Sequence, residues 1–278
     1  MPAEPSPEAR SGLVARLRAA GCVFAEDEAQ LLIAAARTPA DLAAMAGRRA
    51  AGLPLEQVIG WAEFCGLRIA VAPGVFVPRR RTEFLVRRAV TLATGDGAPA
   101  GPLVVVDLCC GTGAVGAALA ASLHSANVDA EVHASDVDPA AVACARRNLE
   151  ASGGHVYQGD LYAPLPAALR GRVTLLAANV PYIPTGQIAL LPAEARLHEP
   201  RVALDGGADG LDVLRRVAGE APKWLAPGGH LLTESSERQA PQAAEIMARS
   251  GLTPQVVSSD ELTATVVTGK QAWQPAGT

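Results

Sequence analysis

Two stretches of the chain carry side chains suited to chemistry. One is Asp107-Leu108-Cys109-Cys110-Gly111-Thr112-Gly113-Ala114-Val115-Gly116, a glycine loop opened by a carboxylate. The other is Asn179-Val180-Pro181-Tyr182, an amide, a restricted backbone and an aromatic in succession. In the second stretch Asn179 offers a carbonyl acceptor. Pro181 confines Val180 to an extended backbone, which fixes where the Val180 carbonyl points. Tyr182 offers a flat face. Two acceptors that bond both hydrogens of an amide or amino nitrogen aim its lone pair, which is otherwise delocalised and a poor nucleophile. The bland alternative is a Pro-rich surface turn.

The glycine loop admits three readings. It could be a tight strand-to-helix turn, a pyrophosphate cradle made of backbone amides, or a close-approach loop for S-adenosylmethionine, which has no phosphate. Asp107 stands four residues before Gly111. A carboxylate there repels pyrophosphate and suits a ligand carrying an ammonium and a sulfonium. Gly111, Thr112 and Gly113 then line the cofactor's path. Asp136, 23 residues after Gly113, is spaced to accept from ribose hydroxyls. Asp138, ahead of Pro139, reads as a helix cap. Asp160 and Leu161 follow Gly159 and are placed to meet the adenine ring, with a plain turn as the alternative for Asp160.

These residues need a scaffold. After residue 102, strand-like runs at 103–106, 131–134, 173–178, 230–233 and 265–267 alternate with helical patterns at 113–123, 139–151, 209–221 and 239–249. Such alternation predicts an α/β fold, a mainly parallel sheet covered by helices, with ligands beyond the carboxyl ends of its strands. Upstream, residues 6–52 read as helices, with Ser6-Pro7 and Thr38-Pro39 as starts. Phe64, Leu67, Ile69 and Val71 fit a hairpin turning at Gly66. Thr82 opens a helix to about residue 94, followed by a loop over 95–102. The expected division is a helical substrate-recognition domain at 1–60, a hairpin linker at 61–75 and a cofactor-binding catalytic domain at 76–278.

The formal net charge of −4 argues against duplex nucleic acid as the main partner. The arginine clusters at 48–49, 79–81, 87–88, 146–147 and 215–216 read mostly as solvated helix faces. Five cysteines, at 22, 65, 109, 110 and 144, show no zinc-knuckle spacing, and neither do the histidines. The expectation is no metal and reduced thiols in a cytoplasmic protein. No run approaches the roughly 18 apolar residues of a membrane span, and Met1 to Arg10 lacks the apolar core of a secretory signal.

The Asn179 loop also resembles the Asn-Pro-Pro-Tyr signature of amino-group methyltransferases. Other stretches extend the likeness: Pro54 to Gly60, Phe64-Cys65-Gly66, Phe76-Val77-Pro78-Arg79-Arg80-Arg81-Thr82-Glu83, and Glu199 to Leu211. Over about residues 54–268 the chain resembles the protein glutamine N5-methyltransferases that act on peptide chain release factors. That resemblance implies a Rossmann-like class I methyltransferase sheet, S-adenosylmethionine as cofactor, and a protein partner carrying an exposed glutamine, such as a release factor. It implies that Asn179 and the Val180 carbonyl hold the acceptor amide beside the cofactor, while Pro181 and Tyr182 shape the slot. Phe76 becomes its opposite wall. Arg79 and Thr82 close over the methionine end, with Thr82 also capping its helix. Three departures stand out: Val180 for the first Pro of the signature, Cys109 for the first loop glycine, and Arg80-Arg81 for Pro-Glu. Competing readings are a nucleic-acid amino methyltransferase acting on flipped bases and a non-catalytic cofactor-binding module that docks a protein. A dinucleotide oxidoreductase is disfavoured by Asp107.

Overall fold

The computed structural model describes residues 6–95 and 101–272. The first five residues of the expected non-secretory N-terminus, and residues 96–100 of the expected 95–102 loop, lie outside the described residues.

The chain opens with helices α1 (Pro7–Ala19), α2 (Ala25–Ala35), α3 (Pro39–Ala50) and α4 (Leu55–Ile59). Ser6 and Thr38 accept from Ala9 N and Asp41 N, so both expected caps are formed. Leu13, Leu17, Leu32, Met45 and Val58 build a small core of their own here. Arg49 is not a solvated face. It reaches Glu28 at 2.6 Å and Glu194 at 2.9 Å, with its side chain only 11% exposed, and ties α3 to a later segment.

Strands β1 (Trp61–Phe64) and β2 (Leu67–Ala70) form the antiparallel hairpin, turning at Cys65-Gly66. Phe64 and Ile69 sink into the same core as Leu85 and Leu119. The Asn148 side chain brackets Ala70, accepting from its N–H at 2.8 Å and donating to its carbonyl at 2.9 Å. It donates as well to the Thr112 carbonyl at 2.8 Å. The hairpin is thereby seated against the glycine loop.

The remaining elements are α5 (Glu83–Thr94), β3 (Leu103–Leu108), α6 (Ala114–Ser125), β4 (Ala130–Asp136), α7 (Pro139–Leu149), β5 (His155–Gln158), β6 (Val173–Ala178), α8 (Ala193–His198), α9 (Asp212–Trp224), β7 (Leu225–Ser235), α10 (Ala240–Arg249), β8 (Leu252–Ser259) and β9 (Ala264–Gln271). The seven-stranded sheet has the order β5-β4-β3-β6-β7-β9-β8. It is parallel from β5 to β7, and β9 then pairs antiparallel with both β7 and β8. β3 is buried at every residue, as a central strand covered on both faces must be. The chain leaves β3 toward β4 and later returns to β6 on its other side. That reversal opens a crevice at the carboxyl ends of β3 and β6. The architecture is the expected α/β, Rossmann-like sheet, with an antiparallel edge formed by β9 and β8. β5 and β8, which the sequence reading omitted, are the two edge strands. Their residues are mostly exposed or half-buried, and they carry no continuous apolar run.

Candidate active site

The carboxyl ends of β3, β4 and β6, with the turn after β5, border a cavity of about 520 Å³. Every expected site residue lies on its wall except Gly113. Gly113 sits behind, at φ 75°, where a Cβ would come within 3.0 Å of the Ala145 Cα. Its glycine lets α6 approach α7.

Asp107 projects from β3 and is 1% exposed; its Oδ2 accepts from Gly116 N at 2.9 Å. Burial, reinforced by nearby Asp136, raises its carboxyl to about 7, and the Gly116 bond only partly offsets this. Asp136 ends β4. Its Oδ2 accepts from Gly111 N at 2.8 Å and its Oδ1 from Asp138 N at 2.9 Å, so it folds the glycine loop over itself. Each oxygen keeps a further lone pair for a ligand. Burial raises this carboxyl too. Asp138 accepts from Ala140 N, the cap expected of it. Asp160 is exposed and pairs with Arg216, which is itself exposed, as expected of a solvated face, and borders the cavity. Leu161 has a left-handed backbone at φ 49°, and its carbonyl accepts from Ser135 Oγ at 2.8 Å. Cys109 is also left-handed, at φ 54°. Burial pushes both the Cys109 and Cys110 thiols up, which favours their protonated, less nucleophilic form.

Asn179 follows β6. Its Nδ2 donates to Thr82 Oγ1 at 3.4 Å. Among the described residues no donor bonds the Asn179 Oδ1 or the Val180 carbonyl. The Tyr182 hydroxyl accepts from Arg81 Nη2 at 2.7 Å and donates to Glu234 Oε1 at 2.8 Å. The 204–210 segment zips onto this loop. Ile183 N donates to the Leu204 carbonyl at 3.1 Å, Gly206 N to the Ile183 carbonyl at 2.9 Å, and Thr185 N to the Gly207 carbonyl at 2.9 Å. A Cβ on Gly206 would stand 2.6 Å from the Pro181 carbonyl oxygen. Gln239 clamps both layers, donating to the Tyr182 and Asp209 carbonyls at 2.9 and 3.0 Å.

The entrance stretch departs from expectation at Thr82. Arg79 is anchored by buried Glu199, at 2.7 and 2.6 Å to its two oxygens, and its guanidinium lies 4.8 Å over the Phe76 ring. Thr82 makes no side-chain cap to α5. Its backbone is helical, whereas a capping residue is extended, and its hydroxyl donates instead to Glu234 Oε2 at 2.5 Å. Arg81, the charge departure, faces the same Glu234 at 2.8 Å.

Of the arginines on the wall, Arg79, Arg81 and Arg216 each meet a carboxylate. Among the described residues, Asp107 and Asp136 are left without a cationic partner. One buried and one half-buried acid at the glycine loop fit a ligand with an ammonium and a sulfonium and disfavour a pyrophosphate. Among the described residues no group of three His, Cys, Asp or Glu is arranged to hold a metal, and no helix is long and apolar enough to cross a membrane.

Glu234, Glu199, Asn148 and Gln239 escaped the sequence reading. Glu234 had a usable signal, since it ends an apolar run as Asp107 and Asp136 do, and Glu199 opens the 199–211 stretch that carries part of the resemblance. The others act across long separations that periodicity does not encode.

A family model described as "Methyltransferase small domain" matches residues 71–187. The chain is 39% identical over 218 residues to the release factor glutamine methyltransferase of Geobacter sulfurreducens, covering 77% of this chain and 72% of that one. It is 36% identical over 241 residues to the enzyme of the same name from Mycolicibacterium smegmatis, covering 85% and 82%. In fold it is similar to a methyltransferase from Pyrococcus furiosus, with a TM-score of 0.51 at 18% identity, covering 74% of this chain and 90% of that one.

Proposed function

We propose, from the premise that this chain belongs to the release factor glutamine methyltransferase family, that it methylates the side-chain amide nitrogen (N5) of a glutamine exposed on a peptide chain release factor. The chain is a class I, S-adenosylmethionine-dependent N-methyltransferase. The observation that carries the proposed substrate is the pair of uncommitted acceptors, Asn179 Oδ1 and the Val180 carbonyl, on the wall of one cavity with Asp107 and Asp136.

The cofactor, when bound, supplies a methyl group already activated on a sulfonium. In our reading Asp107 faces the ammonium and Asp136 the ribose, while Gly111 and Thr112 allow close backbone approach. Asp160 and Leu161 border the adenine end. Phe76, held under the Arg79 guanidinium, forms a wall opposite the Asn179 loop, so Arg79 acts near the methionine end through Phe76 and Glu199. Asn179 and the Val180 carbonyl each accept one hydrogen of the glutamine amide, and Pro181 and Tyr182 flank its plane. This alignment turns the nitrogen lone pair toward the methyl. Residues 1–60 select the protein substrate, the 61–75 hairpin joins them to the body, and 76–278 carries the chemistry.

The test is methyl transfer to purified release factor, followed by mass spectrometry of the product. N5-methylglutamine is the expected modification. Asn179→Ala should slow transfer about a hundredfold, because one aligning contact is lost, while S-adenosylhomocysteine still binds. A methylated nucleic acid with no methylated protein, or wild-type rates in Asn179→Ala, would overturn the reading.

A further inference from the structure

Glu234 lies near the end of β7, 3% exposed, in neither of the two stretches that carry the chemistry. Three donors converge on its carboxylate: Thr82 Oγ1 at 2.5 Å, Arg81 Nε at 2.8 Å and the Tyr182 hydroxyl at 2.8 Å. We propose that Glu234 is a positioning residue that decides which end of the Asn179 side-chain amide faces the acceptor slot, acting through the Thr82 hydroxyl. The inference rests on the role given to Asn179 above.

A threonine hydroxyl has one proton to give. That of Thr82 goes to Glu234, which, paired with a guanidinium, offers only acceptors. Toward Asn179 the same oxygen can therefore only accept. The 3.4 Å contact between Thr82 and Asn179 must then be an N–H donated by the amide. This turns the Asn179 Oδ1 away from Thr82, leaving it free to accept a hydrogen from the substrate amide. With the Thr82 proton free, the hydroxyl could donate to the Asn179 oxygen. The amide would flip and present an NH₂ to the NH₂ of the incoming glutamine. The amide orientation, usually a matter of assignment, is fixed here by the carboxylate behind it. Glu234 also takes the phenol proton of Tyr182, whose oxygen accepts from Arg81 at 2.7 Å. One buried carboxylate thus sets both the polarity of the amide and the seat of the aromatic wall.

Thr82→Val, Thr82→Ser and Glu234→Gln in the full chain test this. Thr82→Val should lower kcat for methyl transfer about tenfold or more by freeing the amide, with the Kd for S-adenosylhomocysteine changed less than about twofold. Thr82→Ser keeps the hydroxyl and should restore most of the rate. Thr82→Val combined with Glu234→Gln should be no slower than the slower single variant, because both act through Asn179. A second readout needs no substrate. In protein labelled with ¹⁵N-asparagine, the Asn179 side-chain amide pair should shift in Thr82→Val and Glu234→Gln and stay in place in Thr82→Ser. An unmoved Asn179 signal in Thr82→Val, additive losses in the double variant, or a loss of cofactor affinity as large as the loss of rate would each overturn the proposal. If Glu234→Gln fails to fold, the Thr82 pair decides by itself. If the wild-type chain methylates no release-factor glutamine, the proposed substrate fails, and the asparagine spectra still decide the role of Glu234.

Discussion

Lowering the pH from about 8 to about 6 should weaken binding of S-adenosylhomocysteine about tenfold in the wild-type chain, given a titrating group near 7, and should scarcely affect Asp107→Asn. Asp107 is buried beside Asp136 and receives one backbone hydrogen bond, and its carboxyl is raised to about 7. If the ligand ammonium binds only the ionised form, the apparent Kd is multiplied by 1 plus 10 to the power (pKa − pH). That factor is about 11 at pH 6 and about 1.1 at pH 8. Asp136 is raised by burial as well, so the transition belongs to the pair and is broadened. For the unliganded protein the sign runs the other way. A folded carboxyl that holds its proton more tightly than the unfolded one contributes stability that is fully present below the ordinary value of 3.8 and lost as the pH rises through about 7. Asp107→Asn cannot ionise, so near pH 8 it should melt at a higher temperature than wild type while binding the ligand more weakly. Calorimetry at about pH 6, 7 and 8, in two buffers of different ionisation heat, measures affinity and proton release together. Near pH 6 about one proton should leave per ligand bound. Flat wild-type affinity with no proton release would refute the reasoning, and an unchanged pH profile in Asp107→Asn would place the titrating group elsewhere.

Val180→Pro should fold and retain a methyl-transfer rate within about threefold, since among the described residues the Val180 N–H bonds no backbone acceptor and proline keeps the carbonyl; a large loss would show that the N–H matters. Gly206→Ala should cost methyl transfer more than cofactor affinity, because its Cβ would push on the Pro181 carbonyl from 2.6 Å. Such overpacking costs about 1–3 kcal/mol, and unaltered kinetics would mean the 204–210 segment does not brace the loop. Arg49→Ala should destabilise the chain by roughly 2–4 kcal/mol in urea unfolding, because it strands a nearly buried Glu28. It should also speed hydrogen exchange in α8, to which Arg49 is tied through Glu194, and unchanged exchange there would mean the bridge does not hold that wall.

The scaffold was legible in the sequence because its signals are local. The apolar runs before Asp107 and after Arg172 define central strands, and Asp138-Pro139 and Thr38-Pro39 announce helix starts through their own hydrogen bonds. The Asn179 loop was legible for the same reason, since proline restricts its neighbour in any context. Edge strands β5 and β8 were not, because exposed and half-buried residues serve a sheet edge and a loop equally well. Chain folding also decided the partners. Thr82 reads as a cap in sequence, yet a carboxylate 152 positions later takes its proton. Arg79 lines the cavity, and Glu199, 120 positions later, is what anchors it there. Arg49 reads as solvated charge, yet it is nearly buried and meets Glu194, 145 positions later. A side chain's type and its neighbours in sequence determine what it can donate, accept or cover. Which group it meets depends on burial and on long-range packing, because desolvation makes an unpaired charge or hydroxyl costly and drives it to the nearest partner the fold supplies.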